Sequence, residues 1–115
     1  LSWTFLNSLL EIQHSAYYLY EYAKEIKTIK NKKIISLSEK AISYFLILQK
    51  AYEENEIKYI HEINKLKNDY QFGECIKIIE STSGKESVIA SYLKEIFRLI
   101  QLASSPLVNR YFDKI

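Results

Sequence analysis

Apolar residues recur every three or four positions over most of the chain, which is the spacing of one buried face on an α-helix. At the start of the chain this pattern predicts a single helix over residues 3–30. Its core-facing positions are Phe5, Leu9, Ile12, Ala16, Leu19, Ala23 and Ile26. Lysines gather towards residue 33, where cations would suit the negative end of that helix's dipole. Asn31 is expected to stop the helix.

The first predicted helix also carries a second apolar face, formed by Leu6, Leu10, Tyr17 and Tyr20. One face is enough to pack a helix into a four-helix core, so the second face needs another cover. Large exposed apolar patches usually mark an interface. The pattern therefore predicts a homodimer formed through helix 1.

A second helix is predicted over residues 37–54, because Ser36 and Glu39 form a capping-box pattern ahead of a periodic apolar run. Its apolar positions are Leu37, Ala41, Tyr44, Phe45, Leu48 and Tyr52. The chain then becomes polar over residues 53–56.

A third helix is predicted over residues 56–71, capped by Asn55. Gly73 is expected to break this helix and to leave residues 75–80 as a further turn or two.

The last helix is predicted to begin after the loop at residues 81–85, where Ser83 and Glu86 form a second capping-box pattern. Its periodic positions are Val88, Tyr92, Ile96, Leu99 and Ala103. Proline lacks an amide donor and suits the first position of a helix, so Pro106 predicts a kink or a new helix capped by Ser105.

The composition supports a helical fold, because the 115 residues include two glycines and one proline and show no strand pattern. We expect an all-α antiparallel bundle of about four long helices, one domain over residues 1–115. The chain begins at Leu1 in mid-pattern, which suggests a fragment of a longer chain. One cysteine cannot form an internal disulfide, so a reducing, cytoplasmic setting is favoured. No apolar run approaches the roughly 18 residues of a membrane-spanning helix.

Glu11 and His14 have the three-residue spacing of the Glu-x-x-His motif in di-iron helical bundles. Such sites need two copies of the motif, and His61 is not part of another. An exposed or interfacial Glu/His pair is the favoured interpretation, although a metal bound across a symmetric interface stays open.

Cys75 is interpreted as a core residue rather than a nucleophile, since lone cysteines in helical cores behave as small hydrophobes. The segment at residues 83–85 lacks the spacing of a phosphate-binding loop and is interpreted as a loop with a helix cap. The basic run is interpreted as a solvated helix end, because only two arginines occur in the chain and acidic residues share that surface. Its members are Lys24, Lys27, Lys30, Lys32 and Lys33.

The helix order and the segment Leu9–Glu21 resemble PhoU-like proteins, the phosphate-uptake regulator family. In that family a helix reading roughly L-E-R-I-x-D-H-A-x-x-I-A-E closes each three-helix repeat, and the acidic stretch from residue 53 resembles the elbow between the first two helices. The resemblance implies a three-helix repeat over residues 36–115, preceded by one extra helix. The family's metal-binding carboxylates fall on Leu10 and His14 here, so no metal site is expected.

This resemblance implies a non-enzymatic regulatory module in phosphate-responsive control, with any DNA contact made by a domain outside this chain. Catalytic, cofactor-binding and metal-binding residues are predicted to be absent. The alternative is a degenerate HEPN-like helical nuclease or RNA-binding domain. Such enzymes carry an arginine followed four to six residues later by histidine, and neither Arg98 nor Arg110 is followed by one.

Overall fold

The structure, a computed structural model, describes residues 3–24 and 29–113, and these fold into an all-α helical bundle. The helices are α1 (Trp3–Ala23), α2 (Lys32–Glu54), α3 (Ile57–Asp69), α4 (Cys75–Ser81) and α5 (Gly84–Asp113). A π-helical turn at Tyr70–Glu74 joins α3 to α4, and the backbone stays helical across both junctions. The described residues therefore form four long helical segments and no strand, which confirms the predicted fold class.

The longest helix, α5, is the centre of the bundle, because α1, α2, α3, the π turn and α4 all pack against it. Its buried side chains cover more than half of the helix circumference. They are Ile89, Ala90, Leu93, Ile96, Phe97, Leu99, Ile100, Ala103, Ser104 and Leu107. By contrast, α1 packs along α5 and does not pack along α2.

Contacts at one end of the bundle show how α1 and α2 run relative to α5. Tyr22 and Tyr92 lie 6.0 Å apart between ring centroids, which places the end of α1 beside the start of α5. The side-chain amide of Asn31 donates a hydrogen bond to the Glu86 carboxylate at 2.7 Å, so α2 and α5 begin at the same end of the bundle. The end of α1 and the starts of α2 and α5 thus share one end of the bundle, so α1 runs antiparallel to both α2 and α5.

The middle of the core is aromatic. Tyr44, Tyr70 and Phe97 form a triad with ring centroids 5.2–5.7 Å apart. The Tyr44 hydroxyl donates a hydrogen bond to the Ile63 carbonyl at 2.7 Å, which satisfies its polar end inside the core. Burial, with a smaller effect of Tyr70, raises the pKa of the Tyr44 hydroxyl and keeps it protonated.

The first helix is shorter than predicted. It ends at Ala23, with Lys24 in a turn and residues 29–31 outside any helix. Ile26, Lys27 and the rest of residues 25–28 lie outside the described residues. Ala16 is exposed although its spacing assigned it to the core, because α1 has α5 on one side only.

The cap of α2 was predicted at the wrong residue. The helix begins at Lys32, and the side chain of Asn31 accepts a hydrogen bond from the Lys33 amide at 2.9 Å. Ser36 therefore lies inside the helix and caps nothing. Asn31 was expected to stop the first helix but starts the second. Its side-chain oxygen accepts the Lys33 amide, and its side-chain NH₂ group donates to Glu86.

Asn55 and Gly73 also have roles in the structure that differ from the predicted ones. Asn55 ends α2 in the left-handed conformation (φ 51°), where asparagine is tolerated, and α3 follows from Ile57. Gly73 does not break the helix but lies in the π turn, where an added Cβ would come 3.1 Å from the Asn68 carbonyl oxygen. The predicted further turn is α4, continuous with α3.

The last helix runs through Pro106 without a restart, so the predicted new helix capped by Ser105 is wrong. It begins at Gly84, whose φ of 61° suits glycine. Burial of Ala103, Ser104 and Leu107 on both sides of the proline stabilises the helix there and overrides the local preference. Glu86, the second member of the predicted capping box, accepts a hydrogen bond from the side chain of Asn31.

Replacing the α2 cap tests this assignment. Asn31→Ala should lower the free energy of unfolding by about 0.5–2 kcal/mol, because it removes the acceptor for the Lys33 amide. Ser36→Ala should change it by less than about 0.5 kcal/mol. Urea denaturation measures both variants, and a larger loss for Ser36→Ala would place the cap at Ser36.

Pro106→Ala should raise the free energy of unfolding by about 1–2 kcal/mol, since the alanine restores a helical amide donor and the gain exceeds the added entropy of the unfolded chain. Ser105→Ala is the control and should have little effect, because Ser105 caps nothing. A thermal melt in which Pro106→Ala is less stable, or Ser105→Ala loses as much as a cap is worth, would contradict a continuous helix.

Candidate functional site

The predicted second face of α1 is exposed. The exposed fractions of Trp3, Leu10, Tyr17 and Tyr20 are 74%, 44%, 58% and 64%. Three of these positions lie on the side of α1 turned away from the buried Phe5 and Ile12, and Tyr20 lies nearer to Phe5, at the edge of that side. Leu6, the remaining predicted member, is half-buried at the edge of this face. The side chains that sequence periodicity grouped together thus share one exposed surface.

A second apolar stripe on α2 was not predicted as a face. Ile35, Ile42, Phe45 and Leu46 are exposed there. Phe45 had been assigned to the core side, but the core already contains its neighbours Tyr44 and Leu48. The spacing of seven between Ile35 and Ile42, followed by Leu46 four residues later, was the sequence signal that could have identified this stripe.

The two stripes are joined by an apolar cleft between α1 and α2, with a volume of about 340 Å³. Its lining residues are Phe5, Leu9, Phe45, Leu48, Gln49 and Tyr52. At its floor the rings of Phe5 and Tyr52 stack with centroids 5.2 Å apart. Because α1 does not pack along α2, the cleft stays open and connects the exposed sides of both helices. We call the residues of the two stripes and the cleft the α1–α2 face.

The α1–α2 face carries little net charge along α1. Glu21 and Lys24, at the end of the helix, form an ion pair at 2.8 Å. Hydrogen bonding to Lys24 lowers the pKa of the Glu21 carboxyl, which favours its ionised form. The face is therefore apolar and aromatic in its middle and electrically balanced at that end.

The structure does not assemble the histidines and Cys75 into a reactive group. His14 and His61 are exposed on α1 and α3, whereas Cys75 is completely buried. Within residues 3–24 and 29–113, no three histidine, cysteine, aspartate or glutamate residues cluster as metal ligands would. Glu11 is exposed on α1 like His14.

Both arginines have intramolecular partners. Arg98 donates two hydrogen bonds to the carboxylate of Glu95, at 2.9 and 2.5 Å. Arg110 donates to the carbonyls of Ala51 and Tyr52 at the end of α2, and its guanidinium lies 4.6 Å from the centre of the Tyr52 ring. The Ala51 carbonyl also accepts the Asn55 amide at 3.1 Å, so Arg110 adds a second donor there and supplies one to Tyr52 in the last turn of α2.

The basic run is divided by the fold. Lys24 belongs to the ion pair with Glu21, and Lys27 lies outside the described residues. Lys32 and Lys33 occupy the first turn of α2, where the helix dipole is positive. The prediction that these lysines suit a negative helix end is therefore wrong, because the helix they belong to starts rather than ends there.

Among the helices in the described ranges, none is both long and apolar enough to cross a lipid bilayer.

The burial of the Cys75 thiol predicts how the stability of the protein depends on pH. Burial raises the pKa of Cys75 to about 12, Glu74 adds to the rise, and Lys94 opposes it. The folded state therefore favours the protonated thiol. Its contribution to stability is fully present below the pKa of the unfolded thiol and is lost as pH rises towards about 12.

We expect the melting temperature to fall between about pH 9 and 12, and to fall less steeply in Cys75→Ala, which has no thiol to ionise. A thiol reagent at pH 8 should react with Cys75 only after denaturation. Rapid reaction in the native protein, or identical pH slopes for the two proteins, would contradict the burial of this thiol.

Comparison with protein-family models, with curated proteins and with solved structures finds no match to this chain. The resemblance to PhoU-like proteins therefore stays a prediction from the sequence. The described residues show an all-α bundle that exposes apolar side chains on the α1–α2 face.

Proposed function

We propose that this protein is a non-enzymatic interaction module that docks through the α1–α2 face, and that a second copy of the chain is its partner. The observation that carries the proposal is the exposure of Trp3, Leu10, Tyr17 and Tyr20 on one side of α1. Aromatic residues grouped on a surface are typical of interface centres, since each buries a large area at a low cost in conformational entropy.

The burial pattern of α1 supports this proposal. Phe5 and Ile12 are its buried side chains and Leu9, Leu19, Tyr22 and Ala23 pack partly against the core, whereas the exposed apolar side chains lie outside it. Burying an aromatic or leucine side chain at an interface releases about 1.5–3 kcal/mol relative to leaving it in water. A partner helix laid on the α1–α2 face would recover the part of that free energy that corresponds to the exposed fraction of each α1 side chain, which is 44–74%.

The charge distribution supports a second copy as the partner. In a two-fold dimer each face meets itself, so uncompensated charge on it would repel. The ion pair of Glu21 and Lys24 removes that repulsion at the end of the stripe. The apolar middle of the face, around Leu10 and Tyr17, is self-complementary in the same sense.

A narrower form of the proposal assigns the module to phosphate-responsive regulation, as the resemblance to PhoU-like proteins implies. It is supported by the order of one long helix followed by an elbow-linked pair and a final long helix. In this form, a domain outside the chain makes any contact with DNA.

The dimer is tested by sedimentation of the parent chain and of the double variant Leu10→Glu, Tyr17→Glu. The parent should be dimeric at tens of micromolar, and the variant should raise the dissociation constant by at least about 100-fold, because two carboxylates would be buried at the contact. Both positions are exposed, so circular dichroism should show unchanged helix content.

The matched control is His61→Glu, Asn64→Glu, which places two carboxylates on exposed positions of α3. It should sediment like the parent. A monomeric parent at tens of micromolar, or equal dissociation of both double variants, would overturn the proposal.

A further inference from the structure

A second cleft, separate from the α1–α2 face, lies between α2 and α4 and has a volume of about 460 Å³. Six of its seven lining residues have a polar or charged group, although the aliphatic parts of their side chains form much of the wall. The lining residues are Lys33, Ser36, Lys40, Glu74, Lys77, Ile78 and Ser81. Pockets of this volume are large enough for small ligands.

Helix geometry explains how these side chains come together. On α2, Lys33, Ser36 and Lys40 are spaced by three and four residues, so they share one side of the helix. On the other wall, Glu74, Lys77 and Ser81 have the same spacing. The π turn at Tyr70–Glu74 contains one more residue per turn than an α-helix would, which rotates the following positions by about 100° relative to an uninterrupted helix.

Three ammonium groups line the cleft against one carboxylate. Lys40 is held by an ion pair with Glu74 at 2.6 Å and lies 5.9 Å from the centre of the Tyr70 ring. Within the described part of the chain, neither Lys33 nor Lys77 has an ion-pair partner. The ion pair therefore fixes one cation, while two cations on opposite walls remain available to an anion.

The start of α2 adds to the positive potential. Its first turn contains Lys32 and Lys33 and no acidic residue, although the dipole already makes this end positive. Glu86 bonds to Asn31 at this end of the bundle but does not line the cleft. Glu86 thus supplies one carboxylate near the start of α2, and an anion in the cleft would supply further negative charge beside Lys33.

We propose that this cleft binds a compact polyphosphate chain, of the kind found in inorganic polyphosphates and nucleoside triphosphates. Lysine ammonium groups bind phosphate oxygens as point charges, and the hydroxyls of Ser36 and Ser81 can donate hydrogen bonds to the same oxygens. Lys33 and Lys77 project from different helices, so a ligand with several charged groups engages both walls at once.

Two features favour a compact ligand over an extended nucleic acid. No aromatic side chain is among the lining residues, so the cleft offers no surface on which a base would stack. The same two helices expose Glu39 and Glu80, which would repel a phosphate backbone running beyond the cleft. The phosphate chain, rather than a base, is the recognised group.

Isothermal titration with sodium tripolyphosphate tests the site in the whole chain, at about 50 mM and about 200 mM salt. Lys33→Gln, Lys77→Gln should weaken binding at least tenfold. Lys50→Gln, Lys65→Gln removes the same charge from exposed positions outside the cleft and should weaken binding less than twofold. ATP should bind as tightly as tripolyphosphate, and orthophosphate at least tenfold more weakly.

Four results would overturn the proposal. Tripolyphosphate could fail to bind at millimolar concentration, or both double variants could weaken it equally, which would show attraction to net charge alone. ATP binding far more tightly than tripolyphosphate would show that a base is recognised. A single-stranded oligonucleotide binding more tightly than either would show a nucleic-acid surface. Dimerisation is read separately by sedimentation, so either proposal can fail without the other.

Discussion

The burial of α5 is the constraint on which the rest of the structure depends. More than half of its circumference is buried, and every other described helix packs against it. This explains why the helix continues through Pro106: Ala103, Ser104 and Leu107 must stay in register with the partners of the preceding turns. It also explains the aromatic triad, in which Phe97 of α5 contacts rings from α2 and the π turn.

The position of α1 follows from the same constraint and has a functional consequence. Because α1 packs along α5 and not along α2, a single side of it is buried, and the α1–α2 face stays open. The cationic cleft lies elsewhere in the bundle. Lysines in the first half of α2 line one of its walls, and the end of the π turn and α4 line the other. The packing of α1 therefore accounts for the open apolar surface, whereas the cationic cleft depends on α2 and α4.

Local periodicity predicted the helical fold and the exposed face of α1, because both depend on spacing along one helix. Helix ends were harder to predict: Ser36 and Glu39 match a cap pattern, yet Asn31 forms the cap because it also reaches Glu86 on α5. The cationic cleft was missed for a related reason, because it combines residues that become neighbours only after the helices pack and it also needs a π turn that no sequence pattern predicted. The α2 stripe, by contrast, was missed although the spacing of its residues along one helix carried the signal.

The central claim is that α1 is held by the bundle on one side and completed by a second copy on the other. Hydrogen–deuterium exchange at increasing protein concentration tests it most directly, because it reports each helix separately. The account predicts that amide protection in Trp3–Ala23 rises with concentration, while protection in the buried part of α5 is high and constant. Protection of α1 that is independent of concentration up to tens of micromolar would contradict it.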